Sequence, residues 1–307
     1  MPVPIPPALD ARRALGPDWA AWLDALPRQV DDLLLRWHLT NGDALAGHTA
    51  LVLPVMDADG VRRALKVGFR DDDSAGEIPT LQVWGGRCAV RLLRADPRRG
   101  ALVLEWLDGP LADLPDADAA TRVVAGLYRH LHRPAAPQLP ELNPLVNRWL
   151  GVLAGLGRGV PAPPRPVDQA LASGRRLAAG PGTHVLHGDL HDGNVMSRAG
   201  VWVAIDPKGY NGDPCFEPAP LLWNRWADAE ASGNLGEAIR QRFTTIVDTA
   251  GLDERRARDW VLVRTMINVA WHVAEGGAAD GPDGTTPHEW ITRNITIANA
   301  MQGVEPL

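Results

Sequence analysis

Apolar positions change their period along this chain, and the change divides it. After a proline-rich start, Trp19–Leu39 mixes helical spacing with acidic breaks. Two apolar runs follow, Leu51–Met56 and Val61–Val67, on either side of Asp57-Ala58-Asp59-Gly60. They read as a β-hairpin: Asp59-Gly60 suits a tight turn, and Pro54 pushes its strand toward an edge or a bulge because it cannot donate to a ladder. A short helix around 76–84 and two more strands, Ala89–Leu93 and Ala101–Leu107, complete a small, mostly β lobe that ends near residue 107. From 116 onward Val123, Val124, Leu127, Tyr128 and Leu131 repeat with helical period on one face. The proline-rich tract 161–166 separates helices within this second region, and one β-like pair, 183–189 with 201–207, interrupts them before the last 90 or so residues turn helical again. The predicted class is α+β, with residues 1–107 a small β-rich lobe and 108–307 a larger helical lobe.

Composition narrows the classes. A chain of 307 residues with 45% apolar and 22% charged residues has material for a real core in two lobes, domains commonly running roughly 100 to 200 residues. The first ten residues lack a basic segment followed by an apolar one, and no later run approaches the roughly 18 apolar residues of a membrane span. A cytoplasmic, monomeric protein that binds no membrane is expected. Cys88 and Cys215 match no paired metal or redox spacing and read as buried thiols. The net charge of −6 is unevenly placed: residues 181–307 hold 17 acidic and 10 basic side chains, against 20 and 21 in residues 1–180. That field disfavours nucleic acid and suits a cationic or polar small molecule. Of 31 basic residues only Lys66 and Lys208 are lysine. A chain so biased to arginine keeps lysine where a compact ammonium is required, which makes both candidate site residues.

The strongest chemical signal is His187-Gly188-Asp189-Leu190-His191-Asp192-Gly193-Asn194, with Asp206 twelve residues further on at the end of the apolar strand Val201–Ile205. Phosphoryl transfer needs a carboxylate to orient the attacking hydroxyl and take its proton, and oxygen ligands for magnesium. Asp189, Asn194 and Asp206 supply that set. The cluster His184, His187 and His191 offers a rival reading as a transition-metal hydrolase, but its spacing fits no standard ligand set. Lys66 on a strand, with Glu77 eleven residues later at the start of a helix, fits the pair by which kinases hold the α- and β-phosphates. Gly42–Thr49 is a near miss to a P-loop with His48 in place of the lysine; it runs into a β-branched stretch rather than a helix, so Gly42 and Gly47 read as a turn covering the nucleotide. Glu105, Trp106 and Leu107, where a buried strand gives way to a polar break, read as a hinge whose backbone bonds the adenine.

Together these residues resemble the aminoglycoside phosphotransferase family, in particular its streptomycin 6-kinase and hydroxyurea kinase branch. The likeness spans most of the chain beyond about residue 30, and includes Trp84-Gly85-Gly86-Arg87-Cys88-Ala89-Val90-Arg91-Leu92-Leu93 and Ile205-Asp206-Pro207. The resemblance implies a bilobal protein-kinase-like fold and ATP (or GTP) with Mg2+ as cofactors. It also implies that Asp189 is the catalytic base, that Asn194 and Asp206 are metal ligands, and that Lys66 holds phosphates. The long helical tail would then form the substrate pocket, with Asp213, Glu217 and Glu275 as carboxylates for a cationic acceptor. Lys208 stands where a polycationic antibiotic would approach, which weighs against streptomycin. If the backbone stays extended through Pro207, Lys208 shares a side with Asp206 and acts as a catalytic cation on the transferring phosphoryl group. Three readings stay open: an aminoglycoside kinase, a kinase for another small metabolite or drug such as hydroxyurea, and a nucleotide-binding pseudokinase.

Overall fold

The computed structural model describes residues 3–41, 45–46, 49–70, 75–274 and 284–302. The chain forms two compact units. The first takes Met1–Asp108 together with Ser197–Lys208, and the second takes Gly109–Met196 and Gly209–Leu307. The segment Ser197–Lys208 is the part of this division that a linear reading of the chain does not anticipate.

The first unit opens with α1 (Pro7–Asp10) and α2 (Pro17–Trp37). The acidic positions of α2 do not break it: Leu23, Leu26, Val30, Leu33 and Leu34 are buried along one face, while Asp24, Asp31 and Asp32 lie on the solvated one. That stripe packs on Leu51, Leu53, Val55, Leu65, Val67 and Val103 of an antiparallel sheet. The sheet contains β1 (Thr40–Asn41), β2 (Leu45–Ala46), β3 (Ala50–Met56), β4 (Arg62–Gly68), β5 (Leu92–Asp96) and β6 (Ala101–Glu105), in the order β1-β3-β4-β6-β5 with β2 also on β3. The hairpin β3–β4 forms with Leu51 opposite Val67. Its turn is a longer loop than Asp59-Gly60 suggests, because Asp57 Oδ1 accepts the amides of Asp59 and Val61. Pro54 pairs with Ala64 in a strand flanked on both sides, not at an edge. On the far side β1 pairs with Val55 and Met56 and β2 with Leu51 and Val52, so Pro54 falls in the gap between two short strands. A missing N–H costs no ladder bond on that side. Between β4 and β5 lies α3 (Glu77–Trp84), with Pro79 in its first turn, where proline is tolerated.

The second unit contains α4 (Ala117–Leu131), α5 (Leu142–Leu156), α6 (Pro164–Leu177), α7 (Ala219–Trp223), α8 (Trp226–Ala231), α9 (Leu235–Ala250), α10 (Glu254–Ala274) and α11 (Pro287–Gln302). Helix α10 packs against α5, α6 and α11 over a core that includes Leu153, Ala170, Met266, Ala270 and Ala298. The expected β pair resolves into two ribbons. Strand β7 (His184–Leu186) pairs not with the 201–207 stretch but with β10 (Tyr210–Gly212), while β8 (Val195–Arg198) pairs with β9 (Val201–Ala204). Ala199 and Gly200 both have positive φ, 48° and 84°, the conformation of a two-residue hairpin turn, so β9 takes its sequence neighbour as partner. Among the described residues no helix is long and apolar enough to cross a membrane.

Within the first unit, Arg198 ties the Ser197–Lys208 segment down. It donates to the carbonyls of Gly86 (3.0 Å) and Ala89 (2.6 Å) and to the Glu105 carboxylate. The Ala204 amide donates to Cys88 O, and the Val90 amide to Ala204 O. Arg198→Met is therefore expected to cost roughly 2–3 kcal/mol and to speed amide exchange across Val201–Ala204 while leaving α5 and α6 protected. Unchanged exchange in that strand would show that the arginine does not anchor it.

Candidate active site

Each unit carries one half of the predicted chemistry. In the first, period-two alternation along β4 buries Leu65 and Val67, and between them Lys66 is 9% exposed. Its ammonium donates to Glu77 Oε1 at 2.7 Å and to Asp206 Oδ1 at 3.0 Å. Burial alone would lower the Lys66 ammonium; the adjacent Asp206 and Glu77 charges reverse this and raise it, so it stays protonated. Burial raises the Glu77 carboxyl, and Lys66 opposes it. Asp206 sits at φ 56°, a left-handed conformation uncommon for a residue with a side chain, with its side chain 46% exposed. Strain of this kind, about 1–2 kcal/mol, is characteristic of functional positions.

That turn corrects the premise applied to Lys208. The backbone is not extended at Asp206, so strand alternation does not place positions 206 and 208 on one side. The Lys208 charge helps to oppose the rise that burial gives the Glu77 carboxyl. The other first-unit candidates have structural partners. The Glu105 carboxylate accepts the Arg91 amide and binds Arg198, Trp106 lies under the Arg62 guanidinium at 3.7 Å, and Leu107 is buried. Gly42, Gly47 and Glu275 lie outside the described residues.

In the second unit the loop between β7 and β8 is held almost atom by atom. Glu217 is 0% exposed, and its two carboxylate oxygens accept the amides of His187 (2.6 Å) and Gly188 (3.1 Å). His187 Nδ1 accepts the Asp189 amide at 3.3 Å, which places the ring proton on Nε2. The Tyr128 hydroxyl lies 3.1 Å from Glu217 O and 3.3 Å from Leu190 O. Asn194 Nδ2 donates to Asp189 O at 2.9 Å, leaving Oδ1 as the end that can face a cation. Asp192 is buried in an ion pair with Arg225 at 2.6 Å. By contrast, the half-buried Asp189 carboxylate accepts no hydrogen bond from any described residue. The three histidines of the rival metal reading have their Nδ1 atoms committed, His184 to Thr183 Oγ1, His187 to Asp189 and His191 to the Gly193 amide.

Two of the predicted substrate carboxylates have partners within the protein. Glu217 is enclosed and saturated by loop amides, which leaves it no face for an acceptor. Asp213 accepts from the Cys215 amide, Arg256 Nε and Trp260 Nε1, with its side chain 14% exposed. Both carboxylates shape the loop and its surroundings. The sequence reading also missed Tyr128, Arg198 and Arg264, the last of which donates to the carbonyls of Gly188 and Phe216. Scarcity was the available signal for Tyr128, one of only two tyrosines, just as it was for the lysines. For Arg264 it was a lone charge in the otherwise uncharged stretch Trp260–Ile267.

A strand lysine paired to a helix glutamate, a strained aspartate beside it, and a loop carrying one uncommitted aspartate with an oriented asparagine define a phosphotransferase of the kinase class. The chain belongs to the family of aminoglycoside/hydroxyurea antibiotic resistance kinases, which matches residues 36–276. It is 36% identical over 315 residues to a streptomycin 6-kinase of Streptomyces glaucescens, covering 98% of this chain and 97% of that one. It is 41% identical over 269 residues to a hydroxyurea phosphotransferase of Kitasatospora aureofaciens, covering 84% and 76%. Solved structures share the fold. A thermostable mutant of aminoglycoside phosphotransferase APH(4)-Ia aligns with a TM-score of 0.58 at 16% identity, over 90% of this chain and 99% of that one. Choline kinase LicA from Streptococcus pneumoniae gives 0.58 at 14%, over 91% and 99%. The protein is thus a kinase that phosphorylates a hydroxyl of a small molecule, using a nucleotide donor and a divalent metal.

Glu217 yields a test of the loop. Burial would raise its carboxyl; the nearby His132 and His187 rings and the His187 amide outweigh burial and hold it below the ordinary glutamate value. A depressed folded value stabilises above the unfolded one and is lost as pH falls through it. Stability is expected to drop as the solution is acidified below the glutamate range, and Glu217→Gln should remove that part of the pH dependence. The variant should also cost roughly 3 kcal/mol at neutral pH, because its NH2 would face a loop amide. Denaturant titrations across pH check this, and an unchanged slope would contradict it.

Proposed function

We propose that this chain transfers the γ-phosphoryl group of magnesium-bound ATP to a hydroxyl of a streptomycin-type aminoglycoside. The observation that carries the reading is the state of Asp189. The loop's other carboxylate, Asp192, is buried in an ion pair with Arg225, whereas the Asp189 carboxylate accepts no hydrogen bond from any described residue and is left for a substrate. In the reaction the acceptor O–H bond breaks and its proton passes to Asp189. The acceptor oxygen bonds to the γ-phosphorus as the bond from that phosphorus to the bridging oxygen breaks, and ADP leaves. Lys66, fixed and protonated by Glu77, holds the α- and β-phosphates. Asn194 and Asp206 supply the carbonyl and carboxylate oxygens that a hard cation prefers. A bound magnesium ion would neutralise charge on the phosphates.

For the acceptor, the end-to-end likeness to a streptomycin 6-kinase and the acidic surplus of residues 181–307 favour a cationic antibiotic. The higher identity to a hydroxyurea phosphotransferase supports hydroxyurea as the second reading.

Incubation with magnesium-ATP and a panel containing streptomycin and hydroxyurea separates them: phosphorylated acceptor gains about 80 Da. Asp189→Ala should abolish that gain with nucleotide affinity nearly intact, whereas Asp206→Ala should lose metal-dependent nucleotide binding. Full turnover by Asp189→Ala would show that another group takes the proton, and no gain on any acceptor would favour a pseudokinase.

A further inference from the structure

Helix α10 carries three polar side chains at four-residue intervals, Arg256, Trp260 and Arg264. The first two donate to the Asp213 carboxylate. The third reaches the loop itself. Arg264 Nη2 donates to Gly188 O at 3.0 Å, and Nη1 donates to Phe216 O at 3.1 Å. Its guanidinium carbon stands 4.1 Å from the Phe216 ring centre and 5.3 Å from that of Trp223. This part-buried cation thus makes its hydrogen bonds to neutral carbonyls and forms no ion pair among the described residues. The negative charges it senses are Asp189 and Glu217.

Gly188 explains why this contact matters. It sits at φ 85°, a region glycine enters freely, so its own conformation does little to fix the peptide that leads into Asp189. That orientation is imposed from outside. Glu217 Oε2 takes the Gly188 amide, and Arg264 takes its carbonyl. Two side chains of opposite charge, Glu217 from the segment between β10 and α7 and Arg264 from α10, clamp the residue that precedes the base.

We infer that Arg264 is a positioning residue. By bridging Gly188 O and Phe216 O with its planar fork, it sets the peptide plane from which Asp189 reaches the acceptor hydroxyl. The inference rests on Asp189 being the base. A planar guanidinium spans both carbonyls at once; an ammonium does so poorly, and a thioether not at all. Misplacing a reacting group by about 1 Å can cost roughly 100-fold in rate.

The test uses the full-length protein with streptomycin, or with hydroxyurea if the wild type phosphorylates that instead. Arg264→Met is expected to lower kcat roughly 100-fold and Arg264→Lys roughly tenfold, with the nucleotide KM changed less than about threefold. In an Asp189→Asn background, Arg264→Met should reduce residual transfer little further, because the residue acts through Asp189; a merely structural role would cost the same factor again. Hydrogen exchange over residues 187–190 needs no acceptor, and Arg264→Met should accelerate it. If the methionine variant does not fold, the lysine variant carries the same comparisons. Wild-type kcat in either folded variant, an additive loss in the double variant, or unchanged exchange would overturn the proposal. Wild-type turnover by Asp189→Asn alone would instead overturn the assignment of the base.

Discussion

A carboxylate taken out of water must be saturated with donors or give up its charge, and the second unit is organised around one that is saturated. Glu217 has no exposed surface, so its oxygens are bound to find partners inside the protein, and the partners are the backbone amides of His187 and Gly188. Once those two amides are fixed, the remaining contacts follow in sequence: His187 turns its Nδ1 to the Asp189 amide, Asn194 caps Asp189 O, and Tyr128 spans Leu190 O and Glu217 O. The loop is held through its backbone, and its carboxylate with no hydrogen-bond partner among the described residues is that of Asp189. Rigid backbone beneath an uncommitted acid is what positioning catalysis requires.

The first unit applies the same rule with the opposite outcome. Lys66, Glu77 and Asp206 meet as one cation between two carboxylates, and the cation is kept charged against the cost of burial. The backbone at Asp206 holds a left-handed turn, a conformation that aspartate tolerates better than most residues with a side chain. Arg198 and the Cys88–Ala204 ladder hold the segment that leads into it from within the same unit. A segment distant in sequence is thereby stapled beside the strand lysine, which is why residues 197–208 leave the unit that precedes and follows them.

Much of this was legible in the sequence because the relevant signals are local or chemical. The hairpin, the short helix after it, the Lys66–Glu77 pairing and the order of Asp189, Asn194 and Asp206 rest on spacing and residue type alone. The parts that misled rest on tertiary context. Pro54 lies within the sheet because two short strands happen to leave a gap beside it. Strand β7 chose Tyr210–Gly212 because β9 already had a local partner at a two-residue turn. Glu217 and Asp213 looked like a substrate's counter-charges, since a sequence shows that a carboxylate exists and not which donors will enclose it. Arg264 looked like one arginine among many, although its apolar neighbours marked it as a charge with a reason to be there.

The division between committed and uncommitted acids is tested most directly by comparing two aspartates three positions apart. Thermal unfolding and turnover per folded molecule would be measured for Asp189→Asn and for Asp192→Asn, whose carboxylate is buried against Arg225. Asp189→Asn is expected to melt with the wild type and to have lost transfer. Asp192→Asn is expected to lose roughly 3 kcal/mol of stability while the folded fraction still turns over. If Asp189→Asn instead melted early and retained transfer, the uncommitted acid would be structural and the assignment of this loop would be wrong.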